Sequence, residues 1–290
     1  MADGAKARMA WLAQRLAPAR PLRLADVGAN PLGKPPYQGL LRAGLAEVWA
    51  FEPNPAAFAQ LTESDPAIHY LPYAVGRGGE ADFHAYPASE MSSLYPLSRA
   101  AISYLGHFRR HLGTETTSRI DTRRLDDMAE LPRLDLLKVD AQGAELAVLE
   151  GARDRLSEAV AVVTEMRFYG LYEGEPALWE LDRALRDQGF VLHRFLHQKS
   201  RMLHHSQRAN VDARAIGSQL IDGDAVYIRN LEDRGQWSDD QIGRLALLAA
   251  AMFGSEDLVL FCLDELAARR RVKAKLAENY VAMLPKAVTA

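Results

Sequence analysis

From Leu22 to Arg229 the chain alternates short apolar runs with stripes of helical spacing. Leu22, Leu24, Ala25 and Val27 form a run that stops at Gly28, the pattern of a buried strand ending in a tight turn. A helix over 37–43 stops at Gly44, and a second strand over 47–51 ends on Glu52. A helix over 55–63 leads to a strand at 68–71, with Ala74, Val75 and Gly76 as its turn. Residues 81–86 alternate like a further strand, 88–95 form a serine-rich loop, and 98–112 read as a polar helix or irregular region carrying Phe108-Arg109-Arg110-His111. An extended segment follows at 120–125.

Leu136, Leu137 and Val139 make the next buried strand, with Asp140 at its carboxyl end and Gly143 as the turn. Leu146, Leu149, Ala152 and Leu156 recur at helical spacing behind it. Residues 159–163 extend to Glu165. Leu178, Leu181 and Leu185 mark a helix stopped by Gly189, and a strand follows over 190–195. A polar loop over 197–218 holds His197, His204 and His205, and 225–228 form the final strand. Strand-helix alternation predicts an α/β fold, a mainly parallel sheet with helices on both faces. The last two strands have no helix between them and predict an antiparallel edge.

The two ends differ in texture. Residues 5–16 form an amphipathic helix, with Met9, Leu12 and Leu16 on one side. Ser238-Asp239-Asp240-Gln241 is a capping box that opens a helix through Met252; two more run over 255–268 and 271–283. Three segments are expected: an N-terminal helix within 1–20, a domain over 21–231 and a helical extension over 236–290. The apolar faces of the extension are expected to pack on the domain or on a second copy of the chain.

A net charge of −3, with 48% hydrophobic and 25% charged residues, describes an ordinary globular protein and no bulk attraction to nucleic acid or to an acidic membrane. A single cysteine, Cys262, excludes an internal disulfide and fits a reducing cytoplasm. No run approaches the ~18 apolar residues of a membrane span, and no leader is expected.

Chemistry gathers at the strand ends. Gly28, Asn30 and Gly33 occupy the places of a G-x-G-x-x-G loop, and Glu52 lies 24 residues after Gly28, near the ~20 at which an acid closes on a ribose. Pro31, Pro35 and Pro36 have no N–H for a diphosphate. S-adenosylmethionine, a ribose-bearing cation without phosphate, suits the loop better, with Asp26 near its charged end. Ala74 and Val75 are expected to flank the adenine by analogy with such folds. Asp26, Glu52, Asp140 and Glu165 share one rim. Asp140 is open to two readings, a group acting near the methyl or a helix cap. Glu145 reads as solvated or packing, and Glu165 as a group behind the site. The adjacent His204 and His205 diverge on most backbones, so a solvated loop competes with a base there. Cys262 reads as a buried thiol, and the basic run at 269–275 as helix C-terminal cations. No metal-ligand set is assigned.

D-V-G-A-N at 26–30, F-E-P-N-P at 51–55, R-L-D-D at 124–127 and D-L-L-K-V-D-A-Q-G-A-E-L at 135–146 together resemble the FkbM family of S-adenosylmethionine-dependent methyltransferases, over 22–229. The resemblance implies a Rossmann-like class I methyltransferase sheet and, commonly, O-methylation of sugars or secondary metabolites. By position it implies Asp26, Gly28 and Asn30 at the methionine end and Glu52 on the ribose. The family usually has its next glycine two residues after Asn30, where this chain has Leu32, and often a glutamate in place of Gln142. Asp140 and a loop histidine, His204, are the candidates for the base. The expected partner is a small-molecule or glycan acceptor. The rivals are a nicotinamide oxidoreductase and a non-catalytic interaction protein docking through the C-terminal helices.

Overall fold

A computed structural model describes residues 3–29, 34–61 and 65–286. In chain order the first elements are α1 (Asp3–Leu16), β1 (Leu22–Val27), α2 (Gln38–Arg42), β2 (Ala46–Phe51), α3 (Pro55–Leu61), β3 (Ile68–Leu71), β4 (Ala74–Val75) and β5 (Gly79–Ala85). Then come α4 (Arg99–Leu105), β6 (Thr116–Arg123), β7 (Leu136–Val139), α5 (Glu145–Glu150), β8 (Ala161–Arg167) and α6 (Leu178–Arg186). The chain continues with β9 (Phe190–Arg201), α7 (Ala213–Ile216), β10 (Gln219–Arg229), α8 (Asp239–Leu248), α9 (Glu256–Ala268) and α10 (Leu276–Val281).

Seven strands form one sheet in the order β3-β2-β1-β7-β8-β10-β9. Only β10 runs against its neighbours, so the order reverses between β1 and β7 and their carboxyl ends share one edge. That is the Rossmann-like class I methyltransferase sheet. Period-two alternation divides the core. On β1, Leu22 and Leu24 face one layer while Ala25 and Val27 face the other. The first layer holds α1, α2, α8 and α9; the second holds α5 and α6. The apolar faces of the C-terminal helices, Ile242, Leu245, Val259 and Leu263 among them, are thus buried on the sheet of their own chain.

Three sequence expectations change. Ala74 and Val75 are not a turn: they form β4, which pairs with β6 in a second, three-stranded sheet of order β4-β6-β5. The last hairpin is much longer than its apolar residues suggest. His197 lies within β9 opposite Asp224 of β10, not in a loop, because an edge strand tolerates polar side chains along its length. The third C-terminal helix begins only at Leu276, after Arg270 adopts a left-handed φ of 60°.

Candidate active site

The carboxyl ends of β1, β2 and β7 open into a cleft of about 380 Å³, within the range of small-molecule sites. Its floor begins at the turn after β1. The backbone N–H groups of Gly28 and Ala29 donate to the Phe51 carbonyl at 3.2 and 3.1 Å, and that of Asp140 donates to the Val27 carbonyl at 3.0 Å. This draws the β1 and β7 ends so close that a Cβ on Gly28 would lie 2.0 Å from the Asp140 carbonyl oxygen, at a φ of +85°. Only glycine fits there.

Gly28, Glu52, Ala74, Val75 and Asp140 all line this cleft. Glu52 leaves the end of β2 with its carboxylate accepting the Asn54 N–H at 2.8 Å. Burial pushes its carboxyl up, and the Asn54 bond opposes that. Asn30 and Gly33 lie outside the described residues. Asp26 points to the opposite face of β1 from Val27. Its two oxygens accept from Lys138 Nζ and the Tyr37 hydroxyl, each at 2.8 Å, and it is not among the lining residues. His204 is exposed and packs on Gly106 after α4, away from the lining.

The β7–α5 turn carries a network that the sequence only hinted at. The helix-capping reading of Asp140 gives way to Glu145. Buried at 2% exposure, Glu145 accepts the N–H groups of Ala141 and Gly143 at 2.9 and 3.0 Å. The Asp140 carboxylate instead accepts from Gln142 Nε2 at 2.6 Å. Gln142 Oε1 accepts from Arg167 at 2.8 Å and from the Tyr172 hydroxyl at 3.3 Å. Arg167, buried among acids, pairs with Glu165 at 2.9 Å and Asp222 at 3.2 Å. Burial pushes Glu145 up to about 7 and Glu165 upward as well, with Arg167 opposing in both. The carboxylates of Asp140, Glu145 and Glu165 lie within 4.8 Å of one another, and Arg167 and Gln142 donate into the cluster. Sequence reasoning noted Gln142 only as a departure from the family pattern and missed Arg167. Their only signal was the D-A-Q-G-A-E spacing and the E-M-R run that puts Glu165 and Arg167 on one strand face.

The insertion between β3 and β7 forms the far wall. Phe83 and Ile120 come from the small sheet, and Ser89, Glu90, Ser92 and Ser93 from the serine-rich loop. Ser93 Oγ donates to the Gln142 carbonyl at 2.5 Å, which ties that wall to the β7 turn. Among the described lining residues three are carboxylates, Glu52, Glu90 and Asp140, and none is lysine or arginine. Such a lining attracts a cation and offers no charged side chain to a diphosphate. A glycine-floored cleft with an acid at the β2 end fits a ribose-bearing cationic cofactor.

The methyltransferase FkbM domain model matches residues 26–192. The 2-O-methyltransferase NoeI of Sinorhizobium fredii is 30% identical over 159 residues, which cover 52% of this chain and 65% of that protein. The hexuronic acid methyltransferase AglP of Haloferax volcanii is 29% identical over 181 residues, covering 58% and 69% respectively. This chain therefore aligns with about two thirds of the length of these relatives. A solved structure described as methyltransferase FkbM from Methylobacillus flagellatus covers 72% of this chain and 43% of its own, at 18% identity and a TM-score of 0.38; the fold assignment rests on the strand order above. With the motif run at 135–146 in the β7 turn and the family match spanning more than half of its length, the chain belongs to the methyltransferase FkbM domain family.

Proposed function

We propose that this chain transfers a methyl group from S-adenosylmethionine to a hydroxyl of a sugar. The observation that carries the reading is Asp140, which stands in an acidic, glycine-floored cleft with Glu52 at the other strand end. Family membership and two relatives named for O- and sugar methylation support it. When bound, the cofactor supplies a methyl group on a positively charged sulfur. Glu52 would hold the ribose hydroxyls, with Gly28 admitting the backbone closely and Ala74 and Val75 against the adenine. The carboxylates of the lining favour the cationic end. The Asp140 carboxylate, oriented by Gln142, would align the acceptor hydroxyl and take its proton. A sugar hydroxyl has a high pKa, so a base at that position accelerates transfer. The small sheet and serine loop wall off water and offer hydroxyls to a polar acceptor.

The rival oxidoreductase reading needs positive charge for a diphosphate, and none of the described lining side chains is lysine or arginine. Calorimetry separates the alternatives: S-adenosylhomocysteine binds under the methyltransferase reading, NAD under the oxidoreductase reading, and neither for a non-catalytic protein. Transfer of labelled methyl groups to a panel of saccharides then tests the acceptor class. In the same assay Asp140→Asn is expected to keep cofactor affinity and melting temperature while turnover falls roughly 100-fold. Turnover at the wild-type rate would remove Asp140 from the chemistry.

A further inference from the structure

Segments 99–115 and 201–220 are distant in sequence and fold against each other beyond the β9–β10 hairpin. The His204 N–H donates to the Tyr104 carbonyl at 3.3 Å. Arg208 reaches the His107 ring at 3.2 Å, and the Tyr104 hydroxyl reaches Gln219 at 3.4 Å. A small core including Ile102, Leu105 and Ile221 joins this lobe to Met91 and Tyr172. Met91 lies between the cleft-lining residues Glu90 and Ser92, so the lobe stands on the same rim as the cleft.

The lobe differs from the rest of the surface in two independent ways. Its two segments hold six arginines, Arg99, Arg109, Arg110, Arg201, Arg208 and Arg214, against two acids, Glu115 and Asp212, in a chain of net charge −3. Elsewhere arginines are commonly ion-paired, as Arg119, Arg167 and Arg269 are; among the described residues none of these six is. Arg208 and Arg201 also crowd His107, whose pKa falls first through burial and then through their charge. The same segments carry Tyr104, Leu203, Val211, Ile216 and Leu220, five of the eight exposed large hydrophobic side chains among the described residues, with Ile216 at 51% exposure.

A soluble polyanion would engage the arginines and leave the apolar side chains in water. An anionic bilayer takes both, the guanidinium groups at the headgroups and the apolar side chains at the acyl boundary. We propose that this lobe docks the chain on an anionic lipid surface, on the rim that carries the cleft. The docking rests on charge and exposure alone and does not depend on the methyl-transfer reading.

Co-sedimentation of the full chain with vesicles tests it without any assay of transfer. The chain is expected to sediment with phosphatidylcholine vesicles containing phosphatidylglycerol at about 0.1 M salt and to be released at about 0.5 M salt, where screening shortens the reach of charge. Each basic side chain near such a surface contributes roughly fivefold. The double substitution Arg109→Glu and Arg110→Glu, at exposed sites, should therefore weaken partitioning at least roughly tenfold, with an unchanged melting temperature. Ile216→Ser should weaken it severalfold at the lower salt. Failure to sediment, equal partitioning onto pure phosphatidylcholine, or wild-type binding by the charge-reversed variant would overturn the proposal. So would capture on dextran sulfate that Ile216→Ser leaves intact, without vesicle binding; that result assigns the lobe to a soluble polyanion.

Discussion

Gln142 shows how much a single amide decides at the residue scale. Its backbone is left-handed, with φ of 49°, which turns the side chain back between Asp140 and Arg167. Arg167 has donors only, so the Gln142 oxygen must face it and the NH₂ must face Asp140 and Glu165. A neutral donor thus orients the cleft carboxylate without adding charge. Lys138 on β7, Glu145 on α5, Glu165 on β8 and Asp224 on β10 complete the charged surroundings of Asp140. Gln142→Glu keeps an acceptor for Arg167 and Tyr172 but replaces the donor to Asp140 with a second carboxylate. Asp140 then loses the donor that orients it, so turnover should fall roughly tenfold while affinity for S-adenosylhomocysteine is kept. Turnover at the wild-type rate would reduce Gln142 to a packing residue.

At the scale of the element, the β7–α5 turn stores a pH dependence. Glu145 caps the turn from a fully buried position and, mainly through burial, is pushed up to about 7 from its ordinary value. The folded state therefore holds this proton across a range in which the unfolded chain has released it. The stabilising contribution is complete below the ordinary carboxyl range and is lost as pH rises toward 7. Glu145→Gln removes the titration and leaves an oxygen for the Ala141 and Gly143 N–H groups. The wild-type melting temperature should decline between pH 5 and pH 8 relative to that of the variant, a difference on the order of 2 kcal/mol. Parallel melting curves across that range would mean that Glu145 is ionised in the folded protein throughout.

For the whole molecule, the C-terminal helices are part of the architecture of the sheet. Asp135, fully buried at the start of β7, accepts from Arg20 at 2.6 Å and from Arg244 of α8 at 2.9 Å. Glu256 of α9 meets Arg8 of α1 at 2.8 Å and the Tyr280 hydroxyl of α10 at 2.5 Å. Removing α8 to α10 would uncover one face of β1, β2 and β8 and strip the buried Asp135 of one of its two arginines. We therefore read 21–231 and 236–290 as one folding unit, although the family match ends at residue 192. A chain stopped after Leu231 should be insoluble or lose its cooperative melting transition. A soluble fragment with the parent's melting behaviour would make the helices an independent module.

Strands, helices and their order were legible in the sequence because burial is periodic: β1, β3 and β7 begin or end where their apolar runs do, and Ser238 and Gln241 cap α8 as their spacing requires. Gly28 and Glu52 pointed to a candidate cofactor cleft for the same reason, since both sit at strand ends that the run lengths define. Tertiary structure alone decided which acids share the cleft. The alternation of β1 sends Asp26 toward Lys138 and Tyr37, while the turn after β7 carries Asp140 to the opening. It alone set the state of the buried acids, because desolvation depends on everything packed around a carboxylate and not on its neighbours in sequence. And it alone brought two arginine-bearing segments into one basic and apolar lobe, which a net charge averaged over 290 residues conceals.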